Sequence, residues 1–172
     1  MLEVTCGWVA FAWSDNGLWA LTLPQPSRAA ALGQLVHYLV SPTEEGEWLA
    51  LEEGLKAFFL GKPVGFSHIP IDRSGYTPFQ WAVLDVVRGI GFGHVMHYGQ
   101  VAYMAGYPRA ARAAGNALGK NRTPVVIPCH RVVRADGSIG GFSGKPEWKK
   151  YLLRLESAHH PCRSRRLAAL SP

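Results

Sequence analysis

Tyr98-Gly99-Gln100-Val101-Ala102-Tyr103-Met104-Ala105-Gly106-Tyr107-Pro108-Arg109-Ala110-Ala111-Arg112-Ala113-Ala114-Gly115-Asn116-Ala117-Leu118-Gly119-Lys120 is the stretch on which the fold turns. Residues 98 to 105 read as a short helix, ended by the glycine turn Gly106-Tyr107-Pro108. Pro108 opens a second helix. Arg109, Arg112, Asn116 and Lys120 then follow at spacings of three, four and four, which puts them on one face. The rest of that helix is alanine, glycine and one leucine, small enough to let a backbone approach something bulky. Short helix, glycine turn and basic helix together make a helix-turn-helix.

Charge supports that reading. Residues 1 to 75 carry four basic and eight acidic side chains, net −4; residues 76 to 172 carry fourteen basic against four acidic, net +10, which together give the +6 of the 172-residue chain. The cationic half contains the two helices. An excess of ten charges over that half exceeds what solubility requires and fits a nucleic-acid or other anionic partner.

Downstream lies Pro128-Cys129-His130-Arg131, between Val125-Val126-Ile127 and Val132-Val133. Most cysteine-histidine neighbours are an inert buried thiol beside a surface imidazole. Here the setting favours an activated sulfur nucleophile. An unassisted thiol, with a pKa near 8.5, is only about 3% thiolate at neutral pH, so a base is needed. His130 is the nearest candidate; neighbours on an extended backbone face opposite ways, so direct contact is not guaranteed and a bridging water is the alternative. A carboxylate normally orients such an imidazole. Asp136 falls in the turn Ala135-Asp136-Gly137-Ser138 and Glu147 at a helix start, which leaves Glu156.

With these residues in view, the chain resembles the O6-alkylguanine-DNA alkyltransferases, also called methylated-DNA–protein-cysteine methyltransferases. The matching text is Thr77-Pro78-Phe79-Gln80, Tyr98-Gly99-Gln100-Val101-Ala102, Ala105 to Ala113, Asn121, Pro124, Ile127 to Val133, Gly140-Gly141-Phe142-Ser143-Gly144 and Glu156, covering residues 76 to 157. Gly91 stands where many members have proline, and Phe142 where tyrosine occurs. The resemblance implies that the protein flips an O6-alkylated guanine out of double-stranded DNA and transfers the alkyl group irreversibly to Cys129, one event per molecule. O4-alkylthymine is a second candidate substrate.

By the same resemblance His130 acts as base through water, Glu156 orients it, Asn121 supports the turn of the reactive loop, and Tyr98 serves guanine N3. Arg112 fills the space left by the flipped base, with Arg109, Ala113, Asn116, Lys120 and Arg131 as further DNA contacts. Pro124, Val132, Phe142, Ser143 and Tyr98 form the substrate pocket. No cofactor and no metal are expected, and the chain is expected to act as a monomer. Two other readings are a DNA-binding regulator whose thiol senses damage, which the alanine-rich face serves poorly, and a cysteine hydrolase, which needs an oxyanion hole and turnover.

The fold expected is α+β: residues 1 to 75 a ribonuclease-H-like α/β scaffold, 76 to 160 a mostly helical, winged-helix-like DNA-binding and alkyl-acceptor domain, 161 to 172 a basic tail. In the first part, Trp8 to Trp13 and Leu18 to Leu23 flank the hairpin turn Ser14-Asp15-Asn16-Gly17. Helices are predicted over 28 to 39 and 47 to 60, the second ended by Gly61, and a strand over 64 to 71. Cys6, Cys129 and Cys162 form no zinc or disulfide spacing, and Cys6 with His68 is too small a donor set for zinc. His94 and His97 read as polar loop residues, and the tail His159-His160-Pro161-Cys162 with Arg163, Arg165 and Arg166 as a source of extra phosphate contacts. The absence of a membrane-length apolar run or a signal segment predicts a cytoplasmic protein, a compartment that keeps a thiol reduced.

Overall fold

The computed structural model describes residues 1–35, 45–142 and 146–157. The end of the helix predicted over 28 to 39 (residues 36–39), Ser143 and the basic tail lie outside these. The chain forms two compact units: Met1–Gly75 with Arg122–Val126, and Tyr76–Asn121 with the chain from Ile127 onward. Among the described residues, helices and three small two-stranded sheets make the architecture mixed α and β.

The first unit begins with β1 (Leu2–Val4) and β2 (Gly7–Val9), an antiparallel pair not foreseen from the sequence. The single strand expected over 8 to 13 is instead broken at Ala10. There the backbone changes partner: Ala10 N–H donates to Thr22 Oγ1 at 3.0 Å, and the Ala10 carbonyl accepts from Thr22 N at 2.8 Å. β3 (Phe11–Ser14) and β4 (Gly17–Leu21) then form the predicted hairpin, with a bulge between Ala12 and Trp13. Gly17 is required at its turn: φ is +122°, and a Cβ there would lie 2.7 Å from the Pro70 carbonyl.

α1 (Arg28–Gly33) is capped by Ser27, whose hydroxyl accepts from Ala30 N at 3.2 Å. α2 (Glu45–Phe59) carries Leu51, Leu55 and Phe58 into the interior, each with no exposed surface. Burial of side chains this size stabilises by about 1.5–3 kcal/mol each. The predicted strand over 64 to 71 does not form. Only Ile71 bridges to Leu18, in parallel, because Pro63 and Pro70 remove the N–H groups a ladder needs.

In the second unit, α3 (Pro78–Arg88) starts with a capping box: Thr77 Oγ1 accepts from Gln80 N, and Gln80 Oε1 from Thr77 N. α4 (Tyr98–Met104) and α5 (Ala111–Leu118) form the helix-turn-helix, with α5 packed on both α3 and α4. Gly106, at φ +88°, makes the turn between them. α5 is shorter than expected. Pro108 and Arg109 stay in the turn, where Ala110 N bonds the Tyr107 carbonyl, and Lys120 lies past the helix end, so Arg109 and Lys120 flank the helix face they were expected to share.

β5 (Met96–His97) pairs in parallel with β6 (Val132–Val133). α6 (Pro146–Ser157) buries Lys149, Leu152, Leu153 and Glu156, the i, i+3, i+4, i+7 stripe of one helix face. Among the described residues no helix is long and apolar enough to cross a membrane.

Candidate active site

Pro128 sits at φ −81°, ψ 63°, an inverse γ-turn in which Cys129 N–H donates to the Ile127 carbonyl at 2.8 Å. The turn ends the apolar run and starts a single 3-10 turn, Cys129–Arg131, so Cys129 and His130 are not on an extended strand as the sequence reading assumed. Asn121 braces the loop from the other side. Its Nδ2 donates to the Ile127 carbonyl at 2.8 Å and to Cys129 Sγ at 3.1 Å.

Behind the thiol lie two fully enclosed groups. His130 has no exposed surface, and its Nε2 is 2.7 Å from Glu156 Oε1. The same carboxylate accepts from Arg131 Nε and Nη2 at 3.0–3.1 Å and from Gly93 N at 2.9 Å. Arg131 also donates to the Ile90 carbonyl. Arg131, expected on DNA, is therefore buried and committed to this ion pair: the guanidinium is what makes an enclosed carboxylate tolerable.

The electrostatics follow from that enclosure. Burial opposes ionisation of Glu156, but its bonds to His130 and Arg131 outweigh burial and draw its pKa down to about 2. For His130 burial wins, and its pKa is lowered despite Glu156. The imidazole is thus neutral at physiological pH, Glu156 is held ionised by the hydrogen bonds it accepts from His130 and Arg131, and Nε2 carries the hydrogen toward the carboxylate. The basic lone pair is left on Nδ1. The Cys129 thiol is pushed up by burial, against the Asn121 hydrogen bond, the Lys149 charge and the amides of Cys129 and His130. At rest the sulfur is protonated.

The thiol opens onto a groove of about 960 Å³ lined by Tyr98, Arg112, Asn116, Lys120, Cys129 and Phe142 from the sequence reading, together with Ala111, Gly115, Leu118, Gly119, Arg134 and Gly141. Tyr98 stands at the start of α4, its hydroxyl donating to the Gly141 carbonyl at 3.0 Å. Burial, then the nearby sulfur, raises its pKa. Arg109 and Ala113 are exposed but do not line the groove. Pro124 and Val132 are not among the residues that line the groove: Pro124 belongs to the segment grouped with the first unit, and Val132 is buried in β6, where its carbonyl takes a hydrogen bond from Lys149.

Lys149 and Arg134 were not foreseen. The signal for Lys149 was present: seven residues before Glu156, it shares the stripe of Leu152 and Leu153, an anomalous place for a lysine. Arg134 had no signal beyond its charge.

Residues 78–158 match the family described as 6-O-methylguanine DNA methyltransferase, DNA binding domain. The chain is 41% identical over 117 residues to the methylated-DNA–protein-cysteine methyltransferase of Shigella flexneri, a match covering 68% of this chain and 66%, just under two thirds, of that one. With the protein of the same name from Methanothermobacter thermautotrophicus it shares 35% identity over 148 residues, 86% of this chain and 78% of the other. Among solved structures, Mycobacterium tuberculosis OGT in complex with DNA superposes with a TM-score of 0.73 at 31% identity, over 94% of this chain and 93% of that one.

Proposed function

The chain belongs to the family of methylated-DNA–protein-cysteine methyltransferases, and from that membership we propose that it repairs O6-alkylguanine in double-stranded DNA by moving the alkyl group, once and irreversibly, to Cys129. The observation that carries the proposal is one continuous arrangement: the Cys129 sulfur on the Asn121 amide, and His130 on Glu156, at the wall of a groove lined by α5.

α5 enters the minor groove, and Arg112 occupies the space vacated as the alkylated guanine turns out of the stack, at a cost of a few kcal/mol. The cations around α5 offset that cost at the phosphates. The thiol proton passes through a water to His130 Nδ1. Sγ attacks the alkyl carbon in line, the carbon–O6 bond breaks, and guanine N3 takes the Tyr98 hydroxyl proton, so the base leaves neutral. The thioether has no simple reversal. A protonated resting thiol suits this reaction, since a buried neutral sulfur resists oxidation until substrate and base are both in place.

The first unit serves as a ribonuclease-H-like scaffold and the second, winged-helix-like, as the DNA-binding and acceptor domain. The separation of charge and the concentration of site residues in the second unit support that division. A free thiol of this reactivity fits a reducing cytoplasm.

The test is incubation with duplex DNA bearing one O6-methylguanine, followed by intact and peptide mass measurement. A gain of one methylene on the Cys129 peptide, capped at one per protein and abolished by Cys129→Ser, is expected. Unmodified protein that still binds the lesion would replace repair with sensing.

A further inference from the structure

Arg134 lines the groove but belongs to the chain after β6, not to α5. Its backbone is pinned from two sides. The N–H donates to the Ser138 carbonyl at 2.9 Å, while the carbonyl takes hydrogen bonds from Gly137 N at 3.0 Å and His97 Nδ1 at 2.9 Å. The start of the side chain is placed as well: a Cβ at Gly140 would lie 2.9 Å from the Tyr98 ring and 3.4 Å from Arg134 Cγ, so the arginine stem stands beside that ring. The head is unengaged. Arg134 is exposed, and among the described residues its guanidinium makes no hydrogen bond or ion pair. Arg131 and Arg122 spend theirs on Glu156 and on the carbonyls of Asp72 and Ser74. Asp136, held below the usual carboxylate range chiefly by its hydrogen bond from Ser138 N and in part by the Arg134 charge, makes no ion pair with it.

A rooted arginine with a free head, on the wall of a site for DNA, is suited to a bidentate anion, and the anion that DNA offers is phosphate. Tyr98 decides which phosphate. Its hydroxyl serves guanine N3, and N3 is separated by a single ring carbon from the nitrogen that carries the sugar. The backbone of an extruded nucleotide therefore comes to the side of the groove where Arg134 stands. We infer that Arg134 binds a phosphate flanking the extruded nucleotide, a contact made only once the base has left the stack. The inference rests on the alkyl-transfer reading above. It separates Arg134 from the cations beside α5, which meet damaged and intact duplexes alike. An interaction present in the extruded state and absent from the stacked one shifts the balance between them by its own strength, so Arg134 holds the flipped nucleotide out while the sulfur reacts.

Two measurements test this together. Binding is followed against salt in a Cys129→Ser background, so that no alkyl group moves. Adding Arg134→Gln is expected to lower the slope of log affinity against log salt by about 1 on a duplex carrying O6-methylguanine and to leave the slope on the undamaged duplex where it was; Arg134→Lys, which keeps the charge, restores the lost slope. Single-turnover transfer then locates the phosphate, with a neutral methylphosphonate placed singly on either side of the lesion. One of the two positions is expected to slow the protein with Cys129 and Arg134 intact by about 10-fold, the scale of one hydrogen-bonded charge pair, and to slow Arg134→Gln no further. An equal loss of slope on both duplexes would make Arg134 an ordinary contact to stacked DNA, and no loss on either would remove it from the interface. Both results overturn the inference, as does a methylphosphonate effect that adds to that of Arg134→Gln at both positions. Wild-type protein that transfers nothing from the all-phosphate lesion duplex refutes the underlying function instead.

Discussion

Glu156 concentrates four N–H groups, from His130, Gly93 and two nitrogens of Arg131, on one carboxylate that is 2% exposed. Its anionic form is favoured in the fold, with a pKa near 2 against an ordinary 4.5. A depressed pKa contributes stability that is fully present above the unfolded value and lost as pH falls toward the folded one. For Glu156 the loss therefore runs from about pH 4.5 down to about 2 and amounts to about 3 kcal/mol. His130 adds a loss of the same sign that begins higher, below its ordinary 6.5, because the folded protein resists protonating it. Glu156→Gln leaves the Arg131 guanidinium buried without its counter-charge, which costs about 3–5 kcal/mol, and frees the His130 ring, which slows transfer by about 10²-fold or more. Urea titrations from pH 7 to 3 are expected to show the wild type steadily losing its advantage over Glu156→Gln. Parallel curves would mean that the carboxylate is not held ionised by the fold.

The helix-turn-helix was legible because its signals are local: a short helix, the glycine turn Gly106-Tyr107-Pro108, and basic and polar residues three and four apart among small side chains in the second helix. What escaped depends on partners distant in sequence. Nothing near Ala10 announces that the strand changes neighbour at Thr22, and Arg131 looks like any surface arginine until Glu156 arrives from twenty-five residues away. Arg109 was placed on α5 because Pro108 favours a first helical turn; the Tyr107–Ala110 hydrogen bond outcompetes that preference. The displacement shapes the expected DNA behaviour. If the proposed DNA-binding mode holds, Arg109 and Lys120, exposed at either side of α5, meet phosphates, and Arg109→Ala and Lys120→Ala should each lower the slope of log affinity against log salt by about 1, equally on damaged and intact duplexes. Arg112, on the groove wall, should instead cost transfer rate more than affinity when replaced by alanine. Equal salt slopes in all three variants and wild type would remove these side chains from the interface.

Across the molecule, the acidic first unit carries no residue of the reaction, yet it includes Arg122–Val126, the segment between Asn121 and Ile127. Arg122 is its anchor. The guanidinium lies 3.6 Å from the Trp19 ring centre and donates to the carbonyls of Asp72 and Ser74, while the Arg122 carbonyl accepts from Leu21 N at 2.8 Å. Three residues on, Val125 is held at φ +74°, an unfavourable region for a β-branched side chain that costs about 1–3 kcal/mol and persists only where its surroundings impose it. The chain then re-emerges at Ile127, whose carbonyl is bound by Asn121, the residue that also touches the sulfur. Arg122→Ala removes the stacking and both hydrogen bonds, a loss of about 1–3 kcal/mol, and gives the strained segment a way to relax. The expected outcome is a lower melting temperature together with slower alkyl transfer to Cys129, at an unchanged salt slope for DNA binding. A variant that melts earlier but transfers at the wild-type rate would reduce the first unit to a passive support.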